Sequence, residues 1–340
     1  MQQRNGVVSA GTWCVDLNKR IAAWPAEDTA NEIIAIDRQN GGSGSNMALD
    51  LRRLDPTLPV EAMGAVGDDD DGRFLLGLCD LAGIDRTRLH ILSGAPTQCV
   101  DAFCVSGTGR RTHFFYQGVA ALLNPDHFDF TQTRARLLHL GLPGTHRTMD
   151  APWRGEANGW APTLRAARAA GLETNLELMT IDRERLGALA APCLPFLDYL
   201  IVNDFEIGAV AGIATRNESG ADGAAIGRAI DAVFERGPLK LIAVHFPEGA
   251  IIGVRDGARL ASGSVAIPAD EIVGANGAGD AFAAGFLYGL HQGWEIERCA
   301  ALAHACAAAS MRALSTTAGV APWAECLALA RRWGYRDAPC

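Results

Sequence analysis

Gly274-Ala275-Asn276-Gly277-Ala278-Gly279-Asp280-Ala281-Phe282-Ala283-Ala284-Gly285-Phe286 is a glycine-rich turn that runs straight into a helix, with no breaker before Gly289. Glycine lets a backbone approach a ligand closely, and the first N–H groups of a helix are unpaired and sit at its positive end. Anions bind at such places. Asp280 falls in the first turn of this helix, so a carboxylate able to take a proton stands beside an anion cradle. Phosphoryl transfer to an alcohol needs both: one group orients and deprotonates the hydroxyl, the other stabilises charge on the moving phosphoryl. The same residues also suit an acidic cap on an ordinary core helix. The stretch is not G-x-x-x-x-G-K-[ST], which sets P-loop enzymes aside.

Far upstream, Gly41-Gly42-Ser43-Gly44-Ser45-Asn46-Met47-Ala48 is a second glycine-rich entry to a helix, expected over Asn46 to Leu54 and ended by Asp55-Pro56. Asp16 follows the first predicted strand, Gly6 to Gly11, where a βα-type edge opens into a cleft. Taken singly, Asp16 and Asn46 also read as a turn residue and a helix cap. Apolar runs predict further strands over Val60–Val66, Arg136–Leu140, Leu172–Leu176, Tyr199–Val202 and Leu241–Val244. Helical patterns cover Gly72–Leu81, Thr163–Ala170, Gly223–Arg236, Asp280–Gly289 and Glu297–Leu314. Strands alternating with helices imply a doubly wound, mostly parallel α/β sheet covered on both faces. Two β-prone patches, around Glu32–Asp37 and Thr97–Gln117, break this alternation and are assigned together to a small separate sheet.

The chain has 340 residues, 49% apolar and 20% charged, enough to bury a sizeable core. Its formal charge of −9 argues against nucleic acid as a partner. No run approaches the roughly 20 apolar residues of a membrane span, and Met1 to Asp16 carries no signal-peptide pattern. A soluble, cytoplasmic protein is expected. The nine cysteines show no C-x-x-C pair and read as reduced thiols packed in the core. Asp68 to Asp71 reads as a solvated turn capping the next helix, and the eight histidines form no metal-ligand spacing.

Four motifs occur in order: Gly41 to Ala48 as G-G-x-G-x-N-x-A, Gly64 to Asp69 as G-x-V-G-x-D, Asn203 to Glu206 as N-x-x-E, and Gly277 to Asp280 as G-A-G-D. In these the chain resembles the ribokinase-like, or phosphofructokinase-B type, family of carbohydrate kinases over nearly its whole length. The resemblance implies ATP-dependent phosphorylation of a sugar hydroxyl with Mg²⁺. Asp280 would be the general base, and the amides of Gly277, Ala278 and Gly279 the anion hole. Asp16, Gly42 and Asn46 would hold the sugar. Asn203 and Glu206 would organise Mg²⁺ near the nucleotide phosphates, Glu206 through water. Gly249 and His304 would lie at the nucleotide. The family's β lid would be 13–40 plus 96–118, the α/β core 1–12, 41–95 and 119–330, with 331–340 as a C-terminal tail. The lid's free edges suggest a homodimer.

Some positions depart from the family pattern. Gly274 replaces an Asp that helps bind a monovalent cation, which leaves potassium open, and Phe246 replaces a glycine at the nucleotide, which leaves nucleotide preference open. Ser43 stands where phosphosugar kinases carry Lys, and Cys14 where ribokinases carry Asn. No substrate Glu is found near Leu140-Gly141-Leu142, so ribose is disfavoured, and the Lys missing at Ser43 removes a charge that could meet a sugar phosphate, so an unphosphorylated sugar is expected. Arg110-Arg111 with His113 and Phe114 reads as a solvated hairpin turn or a lid contact to a charged substrate; His245 is weighed as a ligand contact. The alternatives are a nucleoside kinase, for which Trp13 and Phe114 are candidate base-stacking residues, and a non-catalytic sugar- or nucleotide-sensing protein.

Overall fold

The computed structural model describes residues 4–106, 111–218 and 220–339, so Arg110 and Cys340 lie outside the described residues. Its strands are β1 Val7–Gly11, β2 Cys14–Ile21, β3 Ile33–Gly41, β4 Val60–Gly67, β5 Asp85–Leu92, β6 Gln98–Val105, β7 Arg111–Tyr116 and β8 Leu137–Gly141. They continue as β9 Glu173–Leu176, β10 Tyr199–Asn203, the short ribbon β11 Arg216–Asn217 with β12 Gly220–Ala221, β13 Leu241–Phe246, β14 Gly249–Val254 and β15 Arg259–Gly263. The helices are α1 Ser43–Leu54, α2 Asp70–Ala82, α3 Arg147–Asp150, α4 Trp160–Ala169, α5 Arg183–Ala190, α6 Asp204–Ala211, α7 Gly223–Phe234, α8 Ala278–His291, α9 Ile296–Ser310 and α10 Trp323–Trp333.

A nine-stranded sheet runs β15-β14-β13-β10-β9-β8-β1-β4-β5. Every pairing from β13 through to β5 is parallel; β14 and β15 add on antiparallel. The fold is the expected mostly parallel α/β sheet. β1 is buried at all five positions, which suits a central strand covered on both faces. The chain crosses from β1 to β4 on one side and later places β8 on the other, so the strand order reverses at β1. In open α/β sheets such a switch opens a crevice at the carboxyl ends of the strands.

The two irregular β-prone patches form one small sheet of order β3-β2-β6-β7. β2 and β6 pair in parallel, while β3 and β7 flank them antiparallel. Strand alternation then puts Cys14, Asp16, Gln98, Val100, His113 and Phe115 on the face towards the main sheet.

Helix α8 is fixed from behind by α9. A Cβ on Gly285 would lie 2.8 Å from Cys306 Sγ, and one on Gly289 would lie 2.7 Å from Cys299 Sγ. These two glycines let the helices approach closely while Phe282 and Phe286 fill the core. The eight described cysteines are all free thiols.

Differences from the expected elements are local. Helix α1 begins at Ser43 rather than Asn46, because Gly42, at φ 83°, turns the chain directly into it. Asp69 caps α2 by accepting from the Gly72 N–H, so that helix starts at Asp70. β5, α5, α6, α10 and the β14–β15 hairpin have no counterpart among the expected elements. Residues 331–339 do not form a separate tail: Arg331 to Trp333 complete α10, Tyr335 bridges Val265, and the Arg336 N–H donates to the Ser264 carbonyl at 2.8 Å.

Candidate active site

The parallel strands end in a row of residues that are polar but for Leu142. Thr12 follows β1, Leu142 follows β8, Glu177 follows β9, Asn203 ends β10, and His245 lies near the end of β13. Together with the α8 entry and the inner face of the small sheet they line a cavity of about 610 Å³. The two glycine-rich segments meet here. Asn46 Nδ2 donates to Asp280 Oδ2 at 2.7 Å, which ties the first helix to the head of the eighth. Asn46 Oδ1 accepts from Asn40 Nδ2 at 2.8 Å and from Thr316 Oγ1 at 2.9 Å, so the amide is locked in one orientation.

Asp16 reaches the cavity from β2 across Gly41, the partner of Cys14 on β3: a Cβ there would sit 2.0 Å from Asp16 Oδ1. Gly42 and Gly277 also line this cavity. Gly277 precedes α8 at φ 77°, and the helix entry leaves the first amides of α8 without partners deeper in the helix.

The cavity's charge is one-sided. Asp16, Glu177, Glu206 and Asp280 line it, and no Lys or Arg does among the described residues. Burial pushes the Asp16 carboxyl up to about 7, with Asp280 adding to it. Glu177 and Asp280 share a hydrogen bond. Burial raises both, Glu177 to about 7, and the neighbouring Glu177 charge drives Asp280 well above the usual carboxylate range. Behind them, His139 Nε2 lies 2.7 Å from Glu177 Oε2.

A second cavity, of about 410 Å³, opens on the other side of the α8 entry. Its lining is largely apolar, with Phe246, Val265, Ile267 and Met311, and it includes Ala278, His304 and two arginines, Arg216 and Arg336. His304 Nε2 is 3.0 Å from Ser262 Oγ, and its ring packs edge-on to Phe282. The two cavities share Asn203, His245 and Gly279.

A model of the pfkB family carbohydrate kinases matches residues 5–324. The chain belongs to that family. It is 28% identical over 307 residues to the ATP-dependent ribose-1-phosphate kinase of Halopiger xanaduensis, covering 89% of this chain and 90% of that protein. It is 33% identical over 279 residues to an adenosine kinase of Schizosaccharomyces pombe, covering 78% of this chain and 77% of that one. Among solved structures, Arabidopsis thaliana ribokinase complexed with ribose and ATP superposes with a TM-score of 0.76 at 18% identity, covering 97% and 99% of the two chains. The protein is a carbohydrate kinase of ribokinase-like fold.

The kinase's N-x-x-E segment forms a closed capping box at the start of α6. Asn203 Oδ1 accepts from the Glu206 N–H at 2.8 Å, and Glu206 Oε2 accepts from the Asn203 N–H at 3.0 Å. Thr180 Oγ1 donates to Glu206 Oε1 at 3.1 Å. Among the described residues no cluster of three or more His, Cys, Asp or Glu side chains could hold a metal directly. With each Glu206 oxygen already accepting one bond, the donor set fits Mg²⁺ held through its waters.

Among the residues singled out from sequence, Asp16, Gly42, Asn46, Asn203, Glu206, Gly277, Gly279 and Asp280 come together at the first cavity. Ala278 and His304 line the second. Gly249 lines neither: it opens the β14 hairpin, where a Cβ would lie 2.2 Å from the Ser262 carbonyl. Trp13 is core, its Nε1–H donating to the Met63 carbonyl at 3.0 Å, and Phe114 stacks outward on Trp24; Phe115 is the ring that faces the cavity. Asp69 closes its own turn through Gly72 and Thr97, so the aspartate run is a cap. Sequence reasoning missed Glu177, His139 and Thr316. Glu177 had a usable signal, since it is the first residue after a predicted parallel strand.

Buried acids also make stability depend on pH. Asp16, Glu177 and Glu206 sit near 7 when folded, against about 4 for the free carboxyl. The folded protein therefore binds more protons than the unfolded chain, and stability falls as pH rises through that window. Buried His139, His146, His245 and His304, lowered to about 4, oppose this, but only up to their unfolded value near 6.5. Between about pH 6.5 and 8 only the carboxyl effect is left, so the ligand-free protein should lose about 1–3 kcal/mol and a few degrees of melting temperature. Thermal melts across that range check it; a flat or rising profile would show that these carboxyls are not desolvated.

Proposed function

We propose that this kinase transfers the γ-phosphoryl of ATP to a hydroxyl of a small, unphosphorylated sugar, with the sugar in the first cavity and the nucleotide in the second. The observation that carries this reading is that the two cavities meet at Asn203, His245 and Gly279, beside Asp280. A phosphoryl group crossing from one to the other would pass the head of α8. ATP supplies that group, and Mg²⁺, held through water by Asn203 and Glu206, would lower its charge. The amides of Gly277, Ala278 and Gly279 stabilise the negative charge in transit. Asp280 accepts the proton of the acceptor hydroxyl, while Asp16, Gly42 and the Asn46 side-chain amide orient the sugar. His304 and the apolar wall of the second cavity take the base.

The preference for an unphosphorylated acceptor follows from the field. Each ionised carboxylate about 6 Å from a phosphate charge repels it by about 3 kcal/mol at an effective dielectric of ~20. Among the described residues no lining Lys or Arg offsets that repulsion in the first cavity. The two arginines belong to the second cavity, where ATP brings its own phosphates.

We assign 13–40 and 96–118 to a lid over the sugar and 1–12, 41–95 and 119–330 to the core. Closure of the lid would exclude water and limit ATP hydrolysis. Its outer side exposes Ile33, Ile34, Ile36, Phe114 and Tyr116, a surface suited to a second copy of the chain. No helix among the described residues is long and apolar enough to cross a membrane, and the reading places the kinase in the cytoplasm.

A nucleoside is the second reading, favoured by the rings of His113 and Phe115 on the inner face of the lid. Coupled ADP release over a panel of sugars, sugar phosphates and nucleosides separates the readings. ADP release with an unphosphorylated sugar is the expected result. Release confined to nucleosides supports the second reading, release confined to sugar phosphates overturns the charge argument, and binding without ADP points to a sensing protein.

A further inference from the structure

The family match ends at residue 324, yet the chain beyond it builds part of the second cavity's wall. After α10, Gly334 turns the chain at φ 78° back along the end of β15. The Ala266 N–H donates to the Gly334 carbonyl at 2.9 Å, Tyr335 bridges Val265, and the Arg336 N–H donates to the Ser264 carbonyl at 2.8 Å. Gly263 makes room for this segment: a Cβ there would lie 1.9 Å from the Arg336 carbonyl oxygen. Residues 334–336 therefore lie in a fixed register against the main sheet, and Arg336 lines the cavity.

The charge here is unlike that of the first cavity. Among the described residues one carboxylate lines the second cavity, Asp204, and Arg216 neutralises it, its Nε and Nη2 donating to the two oxygens at 2.5 and 2.7 Å. His245 and His304, lowered to about 4 by burial, are uncharged near neutral pH. Arg336 is the remaining lining cation, and among the described residues it pairs with no carboxylate. Its Nη1 donates to the Pro247 carbonyl at 2.9 Å and to Ser264 Oγ at 3.0 Å, which holds the guanidinium across the β13–β14 turn. Nε and Nη2 make no hydrogen bond among the described residues. A planar guanidinium anchored through one nitrogen, with its Nε–Nη2 edge free, is the fork that meets a phosphate.

We infer that Arg336, carried by a segment beyond the family match, is a specificity residue for the nucleotide: its free Nε–Nη2 edge binds the phosphate tail, so the second cavity takes nucleotides in preference to nucleosides. This rests on the reading of the second cavity as the nucleotide site. The two cavities then sort the two substrates by charge. Carboxylates keep a phosphate out of the first, and an uncompensated guanidinium draws one into the second.

The test is calorimetric titration of the full-length protein with ADP and with adenosine, Mg²⁺ present, in Arg336→Met, Arg336→Lys and Ala307→Trp. Methionine keeps an apolar stem and removes the charge, so Arg336→Met should weaken ADP by about tenfold or more and leave adenosine within about twofold. Arg336→Lys should fall between the parent and Arg336→Met for ADP, because it keeps the charge without the fork. In turnover, the KM for ATP should rise in Arg336→Met while the KM for the acceptor stays where it was. An ADP affinity within about twofold of the parent, or an equal loss for adenosine and ADP, would make Arg336 only an anchor of the C-terminal segment and overturns the inference. Ala307→Trp tests the cavity itself, since Ala307 lines its apolar wall. It should weaken adenosine and ADP alike. Parental binding of both in Ala307→Trp would mean that the nucleotide lies elsewhere, which overturns the nucleotide reading whatever Arg336→Met does.

Discussion

Asp280→Asn should lower turnover by at least about 10² while leaving sugar binding nearly unchanged. The amide oxygen can still accept from Asn46 Nδ2, now 2.7 Å from the carboxylate, and the amide nitrogen can donate to Glu177. The cavity keeps its shape and loses only the group that takes a proton. Because Asp280 and Glu177 repel each other in a buried site, the substitution should hold or raise the melting temperature. Steady-state kinetics, calorimetric sugar binding and a thermal melt check the three parts. Turnover near that of the parent would remove Asp280 from the chemistry. A parallel collapse of sugar binding would make it a binding group.

Much of this was legible because it was local. The G-A-G-D turn shows its glycines and its acid within four residues, and Asn203 to Glu206 carries a capping box whose two partners are three residues apart. The parallel core was visible because its strands are continuous apolar runs between helices. β5 was not, since Asp85-Arg86-Thr87-Arg88 alternates polar residues at a sheet edge and buries only Leu89 among its eight positions. The β14–β15 hairpin was hidden differently: Gly249 to Val254 follows a strand of similar composition, and a turn lining the nucleotide accounts for the same glycines.

The site was legible one residue at a time, but its connections were not. Nothing local indicates that Asn46 would spend its amide on Asp280 and Thr316, or that Thr316, in an irregular stretch after α9, would reach it. Glu177 and His139 sit on neighbouring strands, and only the β8–β9 register brings them together. Spatial pairs of this kind depend on strand order, which a single sequence does not fix.

Gly277→Ala should cost about as much turnover as removing an anion-hole donor, about 10² to 10³, with a far smaller loss of stability. Gly277 holds φ 77°, where an L residue pays about 1–2 kcal/mol. Space is tighter still: the new Cβ would lie 2.5 Å from the Thr316 carbonyl oxygen and 2.8 Å from the Thr316 Cα, both backbone atoms that cannot swing aside. Relief requires the α8 entry or Thr316 to move. The first misaims the amides of Ala278 and Gly279; the second loosens the Thr316 bond that locks Asn46, and with it Asp280. Gly293→Ala is the control, because Gly293 also has positive φ, 68°, but meets nothing within 4 Å. The two variants should melt within a few degrees of each other, yet only Gly277→Ala should lose turnover. Equal activity in both would mean that the head of α8 tolerates displacement and that no charge is stabilised there.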